Sequence, residues 1–137
     1  MPSRISPGRV VPSTIIMVED EPLIAMMMAE VLSERGHEVM GFASAEKALS
    51  YLTTGARADL LFSDVNLPGE MDGALLAVLA RQLRPAIPIV LTSGRSAPDI
   101  VAGALFIAKP YDPDDAADQI DVLLGQADEP HRAVCQA

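Results

Sequence analysis

The sequence predicts an α/β domain: a doubly wound, five-stranded parallel sheet in the order 2-1-3-4-5, with helices on both faces and a short fourth helix. Two observations carry this. Short apolar runs alternate with amphipathic stretches along the chain, the pattern of strand–helix–strand units with right-handed crossovers. The runs Ile15 to Val18, Leu60 to Phe62 and Ile89 to Leu91 are unbroken, as central strands covered on both faces require.

Taken in order, residues 1–13 hold three prolines and no periodicity, and read as a flexible leader. Thr14 to Val18 is the first strand. The first helix opens at Pro22, repeats Ile24, Met27, Met28 and Val31 at helical spacing, and stops at Gly36. Glu38 to Phe42 is the second strand, and Ala45, Ala48, Leu49 and Leu52 mark the second helix. Asp59 to Ser63 is the third strand. Asp72 starts the third helix, whose stripe is Leu76, Leu79, Ala80 and Leu83. Pro88 to Thr92 is the fourth strand. Ser93 to Ala104, with Ser93, Gly94, Ser96 and Pro98, has room for at most a short fourth helix. Leu105 to Ala108 is the fifth strand. Asp112 caps the last helix, Pro113 opens it, Ala116, Ile120, Leu123 and Leu124 form its apolar face, and Gly125 marks its end. The domain thus covers residues 14–125, followed by a short flexible tail, 126–137.

A chain of 137 residues, half of them hydrophobic and 21% charged, suits one globular domain. The longest charge-free run, Pro85 to Gly94, is far short of the roughly 20 apolar residues that span a bilayer. A single cysteine, Cys135, cannot form an internal disulfide, which points to the cytoplasm. Nineteen acidic residues against ten basic ones give a net charge of −9, a field that repels phosphate backbones. Neither a membrane nor a direct nucleic acid partner is expected.

In an open parallel sheet, ligands bind beyond the carboxyl ends of the strands, where the strand order reverses. Four loops deliver polar groups to that edge: Glu19-Asp20-Glu21, Asp64, Thr92-Ser93 and Lys109-Pro110. Three neighbouring carboxylates, Glu19, Asp20 and Asp64, repel one another unless they share a cation. Magnesium, with hard oxygen ligands and retained waters, resolves the conflict. Beside it, an Asp64 oxygen can attack phosphorus and form an aspartyl phosphate. Lys109 can neutralise the phosphoryl oxygens, and the Thr92 hydroxyl can hydrogen-bond the attached group.

The segments IIMVEDEPLI, LLFSDVNLPGEMDG, LTSG at 91–94 and FIAKPY at 106–111 closely resemble the receiver domain of two-component response regulators. The match runs over about residues 14–124, with the motifs in the family's order. The flavodoxin-like strand order is a property of that family, so it comes with the resemblance. The resemblance implies that Asp64 accepts a phosphoryl group from a histidine kinase or histidine phosphotransfer protein. It implies that Glu19, Asp20 and Asp64, with the Asn66 backbone carbonyl, hold Mg2+. Thr92 matches the switch hydroxyl, Phe106 the switch aromatic and Lys109 the site lysine, with a cis bond into Pro110 that aims Lys109 inward. Glu19 stands where an aspartate is common, and Phe106 lacks the hydroxyl of a frequent tyrosine. The loop after Asp64 is one residue longer than in many relatives. The segment from Ser93 to Ala104 is short, which leaves the usual output face open.

Other groups take plainer roles. Glu21 reads as helix-start chemistry. Met26, Met27 and Met28 read as core and flank packing. His37 and His131 read as exposed, Cys135 as an inert tail thiol, and Asp112, Asp114, Asp115, Asp118 and Asp121 as a solvated helix face.

Two rival functions share parts of this pattern. A small hydrolase of the haloacid dehalogenase kind also pairs magnesium with an aspartate nucleophile, but its nucleophile lies in a DxD near the start of the fold. A flavodoxin-like flavin binder needs an anion cradle after the first strand, where Glu19-Asp20-Glu21 would repel phosphate. The expectation is therefore a stand-alone receiver acting on a downstream protein target, as a monomer or a phosphorylation-dependent homodimer. A receiver excised from a longer regulator or hybrid kinase is the alternative. With Asn66 and Gly94 flanking the site, water has a path to it and the aspartyl phosphate should be short-lived.

Overall fold

The computed structural model describes residues 12–95, 101 and 103–136, with side chains through residue 126. Strands β1 (Thr14–Val18), β2 (Glu38–Phe42), β3 (Leu60–Asp64), β4 (Ile89–Ser93) and β5 (Leu105–Ala108) form one parallel sheet in the order β2-β1-β3-β4-β5. Helices α1 (Pro22–Glu34), α2 (Ala45–Thr53), α3 (Gly73–Leu83) and α4 (Pro113–Gln136) connect and cover it. Strands β3 and β4 each begin and end one residue later than the sequence suggests, which places Asp64 and Ser93 inside the ladder.

Strand periodicity sorts the core into two layers. Ile15 and Met17 of β1, Leu60 and Phe62 of β3, Val90 of β4 and Ile107 of β5 pack with Met28 and Leu32 of α1 and Ala116, Ala117, Ile120 and Leu124 of α4. The alternate residues Ile16, Val18, Leu61, Ile89 and Leu91 pack with Ala45, Ala48 and Leu52 of α2 and Leu76, Ala77 and Ala80 of α3. β1, β3 and β4 are buried along their whole length, so they hold the site rigidly.

The start signals act as expected. Pro22 is at the start of α1, the Asp72 side chain accepts from Leu75 N–H at 2.8 Å, and Asp112 accepts from Asp114 N–H at 3.0 Å. Gly36, at φ 93°, lets the chain leave α1 while His37 N–H returns to the Leu32 carbonyl at 3.2 Å.

Several expectations are corrected. Gly125 does not end the last helix: α4 runs on to Gln136, so most of the segment expected as a tail is helical in backbone. A glycine inside a helix costs only about 1 kcal/mol relative to alanine, too little to end a helix by itself. Between β4 and β5 no helix is found among the described residues; residues 96–100 and 102, where a short fourth helix was expected, lie outside them. Residues 1–11 of the expected leader, 1–13, lie outside them as well.

The apolar stripe of α1 is also shifted. Met28 and Leu32 are its buried residues, while Met26 and Met27 are 59% and 50% exposed. α1 is apolar on nearly every side, so spacing alone could not choose the face that meets the sheet.

His37 is buried, not exposed: its side chain is fully covered and Nε2 lies 2.7 Å from Asp121 Oδ1. Nor is the acidic face of α4 merely solvated. Arg35 Nη1 reaches Asp118 Oδ1 at 2.6 Å and Asp121 Oδ2 at 3.1 Å, and Nη2 reaches Asp114 Oδ1 at 3.4 Å. These bonds clasp the end of α1 to the first turns of α4. Burial opposes the Asp121 charge, but the hydrogen bonds from His37 and Arg35 outweigh it and hold the carboxyl below its ordinary pKa.

Candidate functional site

Glu19, Asp64, Thr92 and Lys109 sit at or just beyond the carboxyl ends of β1, β3, β4 and β5. Glu19 follows β1 and is fixed by its own N–H to the Phe42 carbonyl at 3.0 Å. Asp64 is the last residue of β3 and the register partner of Thr92 on β4. Lys109 follows β5, its N–H bonded to the Ser93 carbonyl at 2.9 Å, and the Lys109–Pro110 peptide is cis.

These ends converge on one charged cluster. Lys109 Nζ donates to Asp64 Oδ2 at 2.9 Å and to Glu19 Oε1 at 3.0 Å. The three side chains are 17%, 9% and 5% exposed, so the ion pairs are largely desolvated. Burial opposes the Lys109 charge, yet the hydrogen bonds to Asp64 and Glu19 more than offset it, and its pKa is raised. Lys109 is cationic at any physiological pH.

Asp20 is exposed beside them, and one carboxylate oxygen from each of Glu19, Asp20 and Asp64 lies within 4.8 Å of the others. Three acids around one lysine keep an excess of negative charge. The donor set is all oxygen, which fits a hard divalent cation better than a soft one.

Glu19 is anchored on its second oxygen as well, where Oε2 accepts from Glu21 N–H at 3.1 Å. The longer arm is thus folded back onto its own loop. Glu21 makes no side-chain cap on α1.

Asn66 is brought to the same edge. Its N–H donates to Asp64 Oδ1 at 3.2 Å, and its Nδ2 donates to Ser93 Oγ at 3.3 Å. Ser93 Oγ also accepts from Arg95 N–H at 3.0 Å, so this serine ties the β3 and β4 loops together. Thr92 is 1% exposed and lines a small enclosed space with Glu19 and Asp64. Phe106 lies away from the cluster, half-buried on β5 beside Leu91 and packed toward the α2–α3 layer.

Sequence reasoning missed two contributors. Tyr111 lines the same enclosed space, packs against Phe62 with ring centroids 6.1 Å apart, and has its phenol pushed up to about 12 by burial and by the Glu19 charge. Gly73 is the other: its Cα approaches the Asp64 carbonyl so closely that a Cβ would overlap it, and its N–H donates to the Val65 carbonyl at 2.8 Å. The motif MDG contained that signal, since a glycine opening a helix beside a strand end marks a close backbone approach.

A family model, the response regulator receiver domain, matches residues 15–121. The chain belongs to that family. It is 31% identical to the transcriptional regulatory protein GlrR of Escherichia coli over 122 residues, covering 85% of this chain and 27% of that protein. It is 33% identical over 122 residues to the transcriptional regulatory protein PdtaR of Mycobacterium tuberculosis, covering 85% of this chain and 58% of that one. The chain thus spans between about a quarter and three fifths of the length of these relatives. Among solved structures, a receiver protein from Sinorhizobium medicae is similar at a TM-score of 0.80 and 27% identity, covering 85% of this chain and 97% of that one. A receiver is a signalling module rather than an enzyme with a turnover cycle. Among the described residues no helix is long and apolar enough to cross a membrane.

Proposed function

We propose that the chain is the phosphoacceptor of a two-component phosphorelay, with Asp64 as the acceptor. The observation that carries this is the double ion pair of Lys109 with Asp64 and Glu19 at the β1–β3 edge, in a chain of the receiver family. An Asp64 oxygen attacks phosphorus, the N–P bond of a partner phosphohistidine breaks, and the histidine nitrogen keeps the electron pair. Lys109 exchanges its contact with Asp64 Oδ2 for the incoming phosphoryl oxygens, and the Thr92 hydroxyl receives one of them. Thr92 and Phe106 carry the change to the protein-binding surface.

Glu19, Asp20, Asp64 and the Asn66 carbonyl would hold Mg2+, an assignment supported by the three carboxylates within 4.8 Å. When bound, the ion screens charge on the transferring group. The chain's own residues orient the nucleophile: Asp64 Oδ1 is held by Asn66 N–H, which leaves Oδ2 beside Lys109.

The donor is a histidine kinase or a histidine phosphotransfer protein in the cytoplasm, and output passes to a protein target. The net charge of −9 argues against direct nucleic acid contact. Its small share of the length of GlrR favours a second reading, a receiver acting as one part of a longer regulator. Labelling by acetyl phosphate with Mg2+, and its loss in Asp64→Asn, tests the proposal.

A further inference from the structure

The loop after Asp64 is held from outside by a helix that contributes nothing else to the site. Glu46, in the first turn of α2, uses one oxygen to accept from both Glu70 N–H at 3.1 Å and Met71 N–H at 3.0 Å. Gly69, at φ +95°, packs so tightly against this carboxylate that a Cβ would lie 2.9 Å from both of its oxygens. Hydrogen bonds from its own N–H and from the Met71 and Glu70 amides hold the Glu46 carboxyl below its ordinary pKa. At its two ends the loop is closed by Asn66 N–H on Asp64 Oδ1 and by Gly73 N–H on the Val65 carbonyl at 2.8 Å. Between those closures, Glu46 supplies the hold on Glu70 and Met71.

We propose that Glu46 is a positioning residue: by gripping the amides of Glu70 and Met71 it sets the loop so that Asn66 faces the cation held by Asp20 and Asp64. The proposal rests on the function assigned above. Glu46 touches neither cation nor phosphoryl group. Its effect falls on cation affinity, as for residues that orient metal ligands through hydrogen bonds, where removal typically costs 10–100-fold.

The test compares the full chain with Glu46→Ala and Glu46→Gln. Calorimetry with Mg2+ alone gives the affinity, and acetyl phosphate labelling against Mg2+ concentration gives half-saturation and maximal rate separately. Glu46→Ala is expected to weaken Mg2+ binding about tenfold while the rate at saturating Mg2+ stays within about twofold. Glu46→Gln keeps a carbonyl acceptor and is expected to recover most of the affinity. Amide exchange at Glu70 and Met71 should speed up in the alanine variant alone. Mg2+ affinity of the alanine variant within about twofold of wild type overturns the proposal, as does a glutamine variant no better than alanine. Wild type that binds Mg2+ but is not labelled at Asp64 overturns the proposed function and leaves the calorimetric result on Glu46 to stand. Wild type that binds no Mg2+ overturns both.

Discussion

Lys109 Nζ lies 2.9 Å from Asp64 Oδ2 across 45 residues of sequence, and the same nitrogen holds Glu19 at 3.0 Å. Both carboxylates are nearly covered. Removing one partner of a buried pair leaves charge uncompensated, at a cost of roughly 3 kcal/mol. Lys109→Met should therefore lower the urea midpoint at pH 7 and slow labelling of Asp64 by about a hundredfold or more. Added Mg2+ should restore more stability to this variant than it gives wild type, because the ion replaces the missing positive charge. A variant as stable and as readily labelled as wild type would show that the pair is incidental.

Gly73 and Gly94 make a controlled comparison. A Cβ at Gly73 meets the Asp64 backbone, whereas one at Gly94 meets nothing within 4 Å. Gly73→Ala is expected to cost about 1–3 kcal/mol through overpacking and to displace Asp64, reducing labelling. Gly94→Ala should stay within about 0.5 kcal/mol of wild type. Equal stabilities by urea denaturation would contradict the close approach.

The clasp between α1 and α4 has a defined pH dependence. Asp121 has an ordinary pKa of 3.8 and is held lower in the folded chain. A carboxyl with a depressed folded pKa binds protons more readily when unfolded, so its stabilisation is complete above pH 3.8 and is lost as pH falls through the folded value. Asp121→Asn should cost about 1 kcal/mol at pH 7, discounted for the partial exposure of the pairs. The difference from wild type should shrink below pH 3.8, measured by urea midpoints across the acid limb. A constant difference down to pH 2 would place the effect elsewhere.

Much of this was legible in the sequence, for reasons that particular residues make plain. Short unbroken apolar runs such as Ile15 to Val18, set between amphipathic stretches, fit strands buried on both faces, and Asp64, Thr92 and Lys109 had to emerge at one edge because parallel strands share a direction. What stayed hidden depends on long-range contacts. The glycine before His37 suggests an exposed turn, and its burial follows from Asp121, 84 residues away. Arg35 reads as a helix-end cation until α4 brings Asp114, Asp118 and Asp121 to it. Glu46 looks like an ordinary acid in a first helical turn, and its hold on Glu70 and Met71 exists only once α2 and α3 lie side by side. The face of α1 was ambiguous because apolar residues surround it.

Asp64 is the central claim, and mass spectrometry of the intact chain after incubation with acetyl phosphate and Mg2+ tests it most directly. One added phosphoryl group is expected, mapped to Asp64, absent with chelator and absent in Asp64→Asn. Labelling that persists in Asp64→Asn, or that maps to another residue in the wild-type chain, would contradict the account.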